Sequence, residues 1–385
     1  MFNFLKKIIK KTISLYPHHN SYLYKIKLKI PFVFLNSNTT LTNWPVFEKA
    51  KGFFFYFSSN SYVSIILRPM YSKNINIKPF QKKIDDTAIL IQGPIKDNVK
   101  FLSETVKIYK KNFPSTQIIL STWDCEEKCI NIYLREKLDK IIINKKEDVK
   151  NEGIGNLNLQ TWSTFTGLEY IRKSKKKFTI KQRADGRFYN PNTLNFFKYL
   201  SKSFPTKDKK ITRILVSNIG TMKYRFFCLS DVLVFGATID LLKYFKNESY
   251  EVGLKKIDNK IDLKFPIKKG VPIVVETFLC MRYLQSCGVN LKLDQNCWWK
   301  SLKKFFLVFD VSSIDFYHNK HGQYFEERQV KTYSNIDHEV INFSDWLYLY
   351  YNNKHIWPKI HFEKFAIINN LWTRLKRKSE KNFKI

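Results

Sequence analysis

The chain of 385 residues has few glycines, prolines and cysteines. Its 12 glycines and 12 prolines are too few for a collagen-like or a low-complexity disordered protein. Its six cysteines include no Cys-x-x-Cys pair, which argues against a disulfide scaffold and a structural zinc site. Because 44% of the residues are hydrophobic, the sequence predicts a folded protein, and this length allows about two domains.

Long apolar runs are also missing. No segment approaches the roughly 20 apolar residues that a membrane-spanning helix needs. No apolar stretch has the form of a cleavable signal peptide. We therefore expect a cytoplasmic protein whose cysteines are reduced.

Acidic residues are scarce relative to basic ones. The sequence has 33 Asp and Glu against 67 Lys and Arg, a formal net charge of +34. This charge suits nucleic acid, an anionic membrane surface or an anionic substrate, and equally a lysine-rich surface that binds no specific anion. No nucleic-acid-binding motif accompanies the charge, so we expect no specific nucleic acid partner.

The motifs of several enzyme classes are absent. The sequence contains no G-x-G-x-x-G, no P-loop and no G-x-S-x-G, which argues against dinucleotide-binding enzymes, P-loop NTPases and serine hydrolases. His318 and His321 stand three residues apart without a carboxylate motif for zinc. We interpret both histidines as surface or loop residues.

Both ends carry basic amphipathic patterns. Apolar residues recur at helical spacing over residues 2–16, beside several lysines, and Pro17 ends the pattern. Residues 365–378 repeat this arrangement. Each pattern fits a helix lying on the anionic inner face of the cytoplasmic membrane, and each also fits an ordinary helix packed on the core.

The composition changes near residue 85. Residues 1–84 contain 14 basic side chains and one acidic side chain, Glu48, and include two apolar stretches, 53–57 and 63–67, that predict short strands. We predict three regions. They are a basic N-terminal extension over 1–84, an α/β domain over 85–310, and a C-terminal region over 311–385 with a helical, basic amphipathic tail.

From Asp85 onward, strand and helix patterns alternate. Apolar strands are predicted at 87–92, 117–120, 141–143 and 178–182, and a helix is predicted at 156–173. This alternation predicts an α/β fold with a mainly parallel sheet flanked by helices. In such folds, ligands bind at the carboxyl ends of the strands.

Two of these strand ends carry residues suited to a nucleoside. Gly93, between Gln92 and Pro94, allows close approach of a ligand to the backbone. After the second strand, Thr122 is followed by Trp123, which offers a stacking surface, and by Asp124, which offers a hydrogen-bond acceptor. The alternatives are that the Gly-Pro pair is only a turn and that the tryptophan belongs to the core.

A third strand end carries charges suited to a diphosphate. Asp185 is able to hold Mg²⁺ or Mn²⁺, and Arg183 or Arg187 is able to bind phosphate oxygens. The alternative is a structural Arg-Asp pair. Further along, Asp231 and Glu276 lie beside apolar stretches and are candidate bases for a hydroxyl acceptor. Asp231 alternatively caps a helix or turn.

The order of these motifs resembles the WavE family of lipopolysaccharide synthesis proteins. The similarity covers about residues 86–290. It is carried by Ile89 to Ile95, Phe113-Pro114, Ile118 to Asp124, Asn156 to Leu168, Lys181 to Asp185, Ser230-Asp231 with Phe235-Gly236, and Glu276.

The resemblance implies a glycosyltransferase with a GT-A-like, Rossmann-like fold. Such a protein moves a sugar from a nucleotide-sugar donor to a lipid-linked or oligosaccharide acceptor of lipopolysaccharide, lipooligosaccharide or capsule. Asp185 matches the acid that binds Mg²⁺ or Mn²⁺, while Arg183 stands where the usual Asp-x-Asp has its first acid. Asn156 and Gln160 match the family's helix and are expected to bind the donor. The alternative is a catalytically inactive glycan- or nucleotide-binding scaffold of polysaccharide assembly.

Overall fold

In the part of the chain that the structure describes, seven strands form one sheet in the order β3-β2-β1-β4-β7-β6-β8, and two further strands, β5 and β9, form a small ribbon. The strands are β1 (Thr87–Gln92), β2 (Gln117–Trp123), β3 (Lys140–Asn144), β4 (Phe178–Arg183), β5 (Gly186–Phe188), β6 (Ile214–Ser217), β7 (Leu233–Ala237), β8 (Phe306–Phe309) and β9 (Phe316–His318). Strand β7 runs antiparallel to both of its neighbours, and the other six strands of the sheet are parallel to one another. The structure therefore confirms the predicted mainly parallel α/β fold, which is consistent with a GT-A-like, Rossmann-type architecture.

The structure is a computed structural model that describes residues 68–75, 84–206, 211–223, 225–248, 274–319 and 340–352. Its helices are α1 (Val99–Asn112), α2 (Ile132–Lys137), α3 (Leu157–Lys173), α4 (Thr193–Ser203), α5 (Thr238–Tyr244), α6 (Val275–Ser286), α7 (Gln295–Phe305) and α8 (Phe343–Asn352). Apart from Arg68, the described residues belong to one unit, Pro69–Ile385. The amphipathic patterns at 2–16 and 365–378, the predicted strands 53–57 and 63–67, and His321 lie outside the described residues.

The central strands are buried on both faces. All six residues of β1 are buried between β2 and β4. A strand covered on both faces needs apolar side chains on both, which explains the continuous apolar run Ala88 to Ile91 rather than an alternating pattern. Within the described part of the chain, every helix is too short or too polar to span a bilayer.

Helix α3 packs against one face of the sheet through small and polar residues. A Cβ atom on Gly167 would lie 2.4 Å from Leu90 Cδ1, so only glycine allows this close approach. Gln92 Nε2 donates to Ser163 Oγ at 2.9 Å, and Ser121 Oγ donates to the Ser163 carbonyl at 2.6 Å. These contacts fix the middle of α3 against β1 and the end of β2.

Helix α1 covers the opposite face. Tyr109 on α1 donates its hydroxyl to Gln182 Oε1 on β4 at 2.7 Å. Leu90 and Gln92 on β1 contact α3, and their partners in the register are Lys181 and Arg183. Because residues opposite each other in a sheet point to the same face, Lys181 and Arg183 share the α3 face.

The ribbon joins two distant parts of the chain. Gly186 on β5 pairs with His318 on β9, and Phe188 pairs with Phe316. Asn319 N donates to the Asp185 carbonyl at 2.7 Å. The ribbon therefore holds the turn that follows β4.

Candidate functional site

The ends of β1, β2 and β4 meet at one edge of the sheet. Gln92 pairs with Arg183, and the backbone of Ala184 donates to the Gln92 carbonyl at 2.9 Å. Because β7 is antiparallel to β4, its beginning lies at this same edge, with Leu233 opposite Gln182. Asp231, two residues before β7, is thereby brought to the strand ends.

The Arg183 guanidinium forms a two-pronged ion pair with Asp185. Arg183 Nε donates to Asp185 Oδ1 at 3.0 Å, and Arg183 Nη2 donates to Oδ2 at 2.9 Å. The third nitrogen, Nη1, donates to no group among the described residues. The Arg183 side chain is 36% exposed whereas that of Asp185 is 7% exposed, so the guanidinium lies between a buried carboxylate and the surface.

His318 completes the surroundings of the Asp185 carboxylate. His318 Nε2 lies 3.2 Å from Asp185 Oδ1. Burial by itself would raise the pKa of Asp185, but the hydrogen bonds from His318 and Arg183, together with their charges, lower this pKa far below its ordinary value. Asp185 therefore remains ionised at any pH at which the protein would function.

Two further carboxylates act on the same guanidinium. Burial disfavours the charged form of Arg183, but the hydrogen bond and charge of Asp185 and the charges of Asp231 and Glu276 raise its pKa. Asp231 and Glu276 thus lie within electrostatic reach of Arg183, although 45 residues separate them in sequence. Arg183 and these three predicted carboxylates form a cluster in which Asp185 contacts the guanidinium directly, whereas Asp231 and Glu276 act on it through their charges.

Asp231 is held by two side chains, and the residue before it is held by a third. Gln160 Nε2 donates to Asp231 Oδ2, and Lys181 Nζ donates to the Asp231 carbonyl at 2.6 Å. The preceding residue is fixed because Ser217 Oγ donates to Ser230 Oγ at 2.8 Å. Among the described residues the Asp231 carboxylate accepts no backbone N–H, so it does not act as a helix or turn cap.

Lys181 is a buried cation beneath the cluster. Its ammonium group lies 5.3 Å from the centre of the Phe245 ring. Burial lowers the pKa of Lys181 to about 8, with a smaller contribution from Arg183, against the opposing charges of Asp231 and Asp185. No role was predicted for Lys181, although a lysine in an otherwise apolar strand is a recognisable signal because lysine is rarely buried without a partner.

The starts of α3 and α6 lie next to each other. A Cβ atom on Gly155 would lie 3.2 Å from Val275 Cγ2, so the turn before α3 touches the residue before Glu276. Asn156 is exposed, has a positive φ of 62° and makes no side-chain cap hydrogen bond. Asn156, Gln160 and Glu276 therefore lie on two neighbouring helix starts.

Gly93 has open space beside it. Its φ is +118°, and apart from its two chain neighbours no atom of the described residues would lie within 4 Å of a Cβ atom there. Glycine is required by the backbone angle and not by crowding. The loop that continues from the exposed Pro94 is fixed by Glu126, whose carboxylate accepts from Ile95 N at 2.9 Å and Lys96 N at 2.5 Å.

Several residues predicted to contact the donor are instead buried in the sheet or bonded to neighbouring protein groups. Trp123 is only 6% exposed, and both it and Thr122 belong to β2 rather than to a loop. Gln92 is buried and bonded to α3. Asp124 is half-buried, and its carboxylate accepts from Cys125 N at 2.8 Å. These placements favour the alternative interpretation of Trp123 as a core residue.

Arg187 does not join the cluster. Only 1% of it is exposed, and its guanidinium donates to Thr105 Oγ1, the Phe101 carbonyl, the Met70 carbonyl and the Tyr189 hydroxyl. Thr105 and Phe101 belong to α1 on the opposite face of the sheet. We therefore correct the predicted role of Arg187 and assign it to the core.

The interpretation of His318 as a surface or loop residue is also wrong. It is 2% exposed and belongs to β9. Its position beside Asp185 depends on pairing between strands about 130 residues apart, which the local pattern Phe316-Tyr317-His318 does not reveal.

The residues around Asp185 do not fit a divalent cation. Arg183 engages both carboxylate oxygens of Asp185, and His318 lies against Oδ1. The described ranges contain no group of three His, Cys, Asp or Glu side chains that could hold a metal ion. Mg²⁺ and Mn²⁺ favour free oxygen ligands, so the donor set at Asp185 argues against the predicted Asp185 metal site.

The fold and the order of the motifs agree with a family comparison. The family model described as WavE lipopolysaccharide synthesis matches residues 87–380, which extends the sequence resemblance beyond residue 290. A comparison with curated proteins found no match. Since the family model covers most of the chain, this protein belongs to the WavE lipopolysaccharide synthesis family.

Proposed function

We propose that this protein is a glycosyltransferase that moves a sugar from a nucleotide-sugar donor to a hydroxyl of a growing cell-surface glycan. The observation that supports this best is the cluster at the strand ends. There, the half-exposed Arg183 guanidinium lies within electrostatic reach of Asp231 and Glu276. Membership of a lipopolysaccharide synthesis family supports the same reaction class.

The two charge types suit the two ends of the reaction. As the bond between the sugar and the diphosphate breaks through an oxocarbenium-like state, negative charge grows on the leaving diphosphate. Arg183 offers a preorganised cation for that charge. Asp231 or Glu276 accepts the proton that the acceptor hydroxyl releases as the new glycosidic bond forms.

The nucleoside of the donor lies, in this proposal, at the open space beside Gly93. The half-buried Asp124 follows the neighbouring strand. Asn156 is exposed at the start of α3, and Gln160 orients Asp231 from the same helix. This arrangement supports a donor lying across the ends of β1 and β4, with the acceptor reaching the site from the side of α6.

We also propose that the protein acts at the inner face of the cytoplasmic membrane on a lipid-linked or oligosaccharide acceptor. The support is the net charge of +34 and the two basic amphipathic patterns. Each Lys or Arg near an anionic surface contributes about 1 kcal/mol. The full chain should sediment with vesicles containing anionic lipid at low salt and should remain free when salt is raised or neutral vesicles are used.

A donor screen tests the enzymatic proposal. The full chain is incubated with UDP, GDP and CMP sugars and with truncated cell-surface glycans, and transferred sugar and released nucleotide are measured. The variants Asp231→Asn and Glu276→Gln identify the base, whose loss should lower kcat by about 10²- to 10⁴-fold. Glu169→Gln is the matched control, because Glu169 pairs with Arg172 on an exposed part of α3. Nucleotide binding without turnover of any donor would instead favour the inactive scaffold.

A further inference from the structure

We infer that Arg183 itself binds the donor diphosphate, that Asp185 and His318 act as positioning residues for Arg183, and that no divalent cation bridges Asp185 to the donor. This inference rests on the proposed function and names the group that holds the leaving diphosphate.

Both oxygens of the Asp185 carboxylate already have partners in the protein. Its Oδ2 accepts from Arg183 Nη2 at 2.9 Å, and its Oδ1 lies 3.0 Å from Arg183 Nε and 3.2 Å from His318 Nε2. A divalent cation at Asp185 would have to compete with these groups for a side chain that is only 7% exposed. Displacing Arg183 would also leave a partly buried guanidinium without its carboxylate, which is strongly unfavourable.

The guanidinium of Arg183 is held in a fixed orientation. Two of its nitrogens are held by Asp185, so the plane of the group is fixed. Nη1 donates to no group among the described residues, and the Arg183 side chain as a whole is 36% exposed. A fixed arginine with a free nitrogen is suited to phosphate oxygens, since the ion pair limits the freedom that is lost on binding.

The contacts to Asp185 come from two different strands. Arg183 ends β4, whereas His318 lies on β9 and reaches Asp185 through the ribbon with β5. The backbone is fixed as well, because Asn319 N donates to the Asp185 carbonyl at 2.7 Å. A carboxylate that is held in this way maintains the orientation of an arginine, and both of its oxygens already contact a cationic or potentially cationic side chain.

The experiment measures binding of inorganic pyrophosphate, the group common to UDP and GDP sugars, to the full chain. Titrations are made in EDTA and in Mn²⁺ or Mg²⁺. We expect binding in EDTA, and Arg183→Ala should weaken it by at least about tenfold, since a charged hydrogen bond contributes about 1.5–3 kcal/mol. Added guanidinium ion should partly restore binding to Arg183→Ala, which a general folding defect would not allow.

Three controls keep the result interpretable. Arg172→Ala removes an exposed arginine that is also paired with a carboxylate, at 2.8 Å, and should bind pyrophosphate normally. If Arg183→Ala fails to fold, Arg183→Lys keeps the charge but loses the two-pronged pair, and it should bind more weakly than wild type. Asp185→Asn should weaken binding equally in EDTA and in Mn²⁺, because its role is to position Arg183.

The outcomes separate this inference from the proposed function. Pyrophosphate binding or sugar transfer that is lost in EDTA and restored by Mn²⁺ would overturn the inference and leave the glycosyltransferase proposal intact. Pyrophosphate binding in EDTA that depends on Arg183 would support the inference, even if the donor screen fails to find the sugar. Binding that Arg183→Ala leaves unchanged would overturn it.

Discussion

Arg183 and Arg187 lie four residues apart and have opposite surroundings. Arg183 pairs with the Asp185 carboxylate, is half-exposed and keeps one nitrogen free among the described residues. Arg187 is buried, donates to four neutral oxygens and lies with its guanidinium carbon 4.1 Å from the centre of the Phe101 ring. The chain between them leaves β4, turns at Ala184 and Asp185, and enters β5.

The sequence position of an arginine near the end of a strand therefore does not determine its role. Arg183 is the last residue of β4 and keeps the face of the sheet that α3 covers, whereas Arg187 comes after the turn and faces α1. A guanidinium whose donors all meet neutral protein oxygens is a packing element. One that a carboxylate holds at the surface is suited to a ligand.

The largest expected effect is on turnover. Arg183→Ala should lower kcat/KM for the nucleotide-sugar donor by about 10²- to 10³-fold, because it removes a preorganised cation from the leaving diphosphate. Initial rates for wild type and variant, normalised to the folded fraction, measure it. An unchanged kcat/KM in a folded variant would show that Arg183 does not stabilise the leaving diphosphate.

Arg187→Ala should have its main effect on stability. Removing this side chain leaves buried oxygens of Thr105 and Tyr189 without the Arg187 donor and opens a cavity beside Phe101, so the free energy of unfolding should fall by about 3–5 kcal/mol. Urea unfolding measures the loss, and turnover per folded molecule should be retained. A stable Arg187→Ala that has lost turnover would return Arg187 to the site.

Lys181 combines features of the two arginines, because it is as buried as Arg187 but lies on the same face of the sheet as Arg183. Its pKa is about 8 in the folded protein, against an ordinary value of 10.5. Between these pH values the unfolded chain binds a proton that the folded chain does not, so the free energy of unfolding should rise with pH by up to about 3 kcal/mol.

The variant Lys181→Met should lack this rise. Urea unfolding of wild type and variant at pH values from 7 to 10 gives the difference between their free energies of unfolding. If the free energies of unfolding of wild type and variant change in parallel over the whole pH range, Lys181 titrates with its ordinary pKa and its ammonium group is hydrated in the folded protein.

The smallest expected effect comes from His318. His318→Gln removes the imidazole contact to Asp185 but leaves the ion pair with Arg183, so kcat/KM should fall by about fivefold, equivalent to about 1 kcal/mol. Kinetics with thermal unfolding measure it. No change in either quantity would show that the ion pair alone positions Arg183.

Much of the fold could be predicted from the sequence because its signals are local. The predicted strand at 87–92 matches β1, and the predicted helix at 156–173 matches α3 within one residue. Apolar runs that end at Gly93 and helical spacing that ends near Ser174 depend only on neighbouring residues. The resemblance to the WavE family was likewise readable from the order of motifs, and the family match confirms it.

The site was less predictable because it depends on pairing between distant residues. Asp231 reaches Arg183 because β7 inserts antiparallel next to β4, and His318 reaches Asp185 through the ribbon. Trp123 was placed in a loop because the predicted second strand stopped at residue 120, whereas β2 continues through it. Local hydrophobic spacing predicts neither the direction of a strand nor the strand with which it pairs.

The ribbon between β5 and β9 has a consequence for protein synthesis. Asp185 leaves the ribosome about 130 residues before His318, so the nascent chain carries an incomplete ion-pair network while the intervening segments emerge. A fragment that stops before Phe316 would lack one strand of the ribbon and the imidazole beside Asp185. Expression trials that shorten the gene should therefore keep codons through at least Asn319, whose backbone also binds this turn.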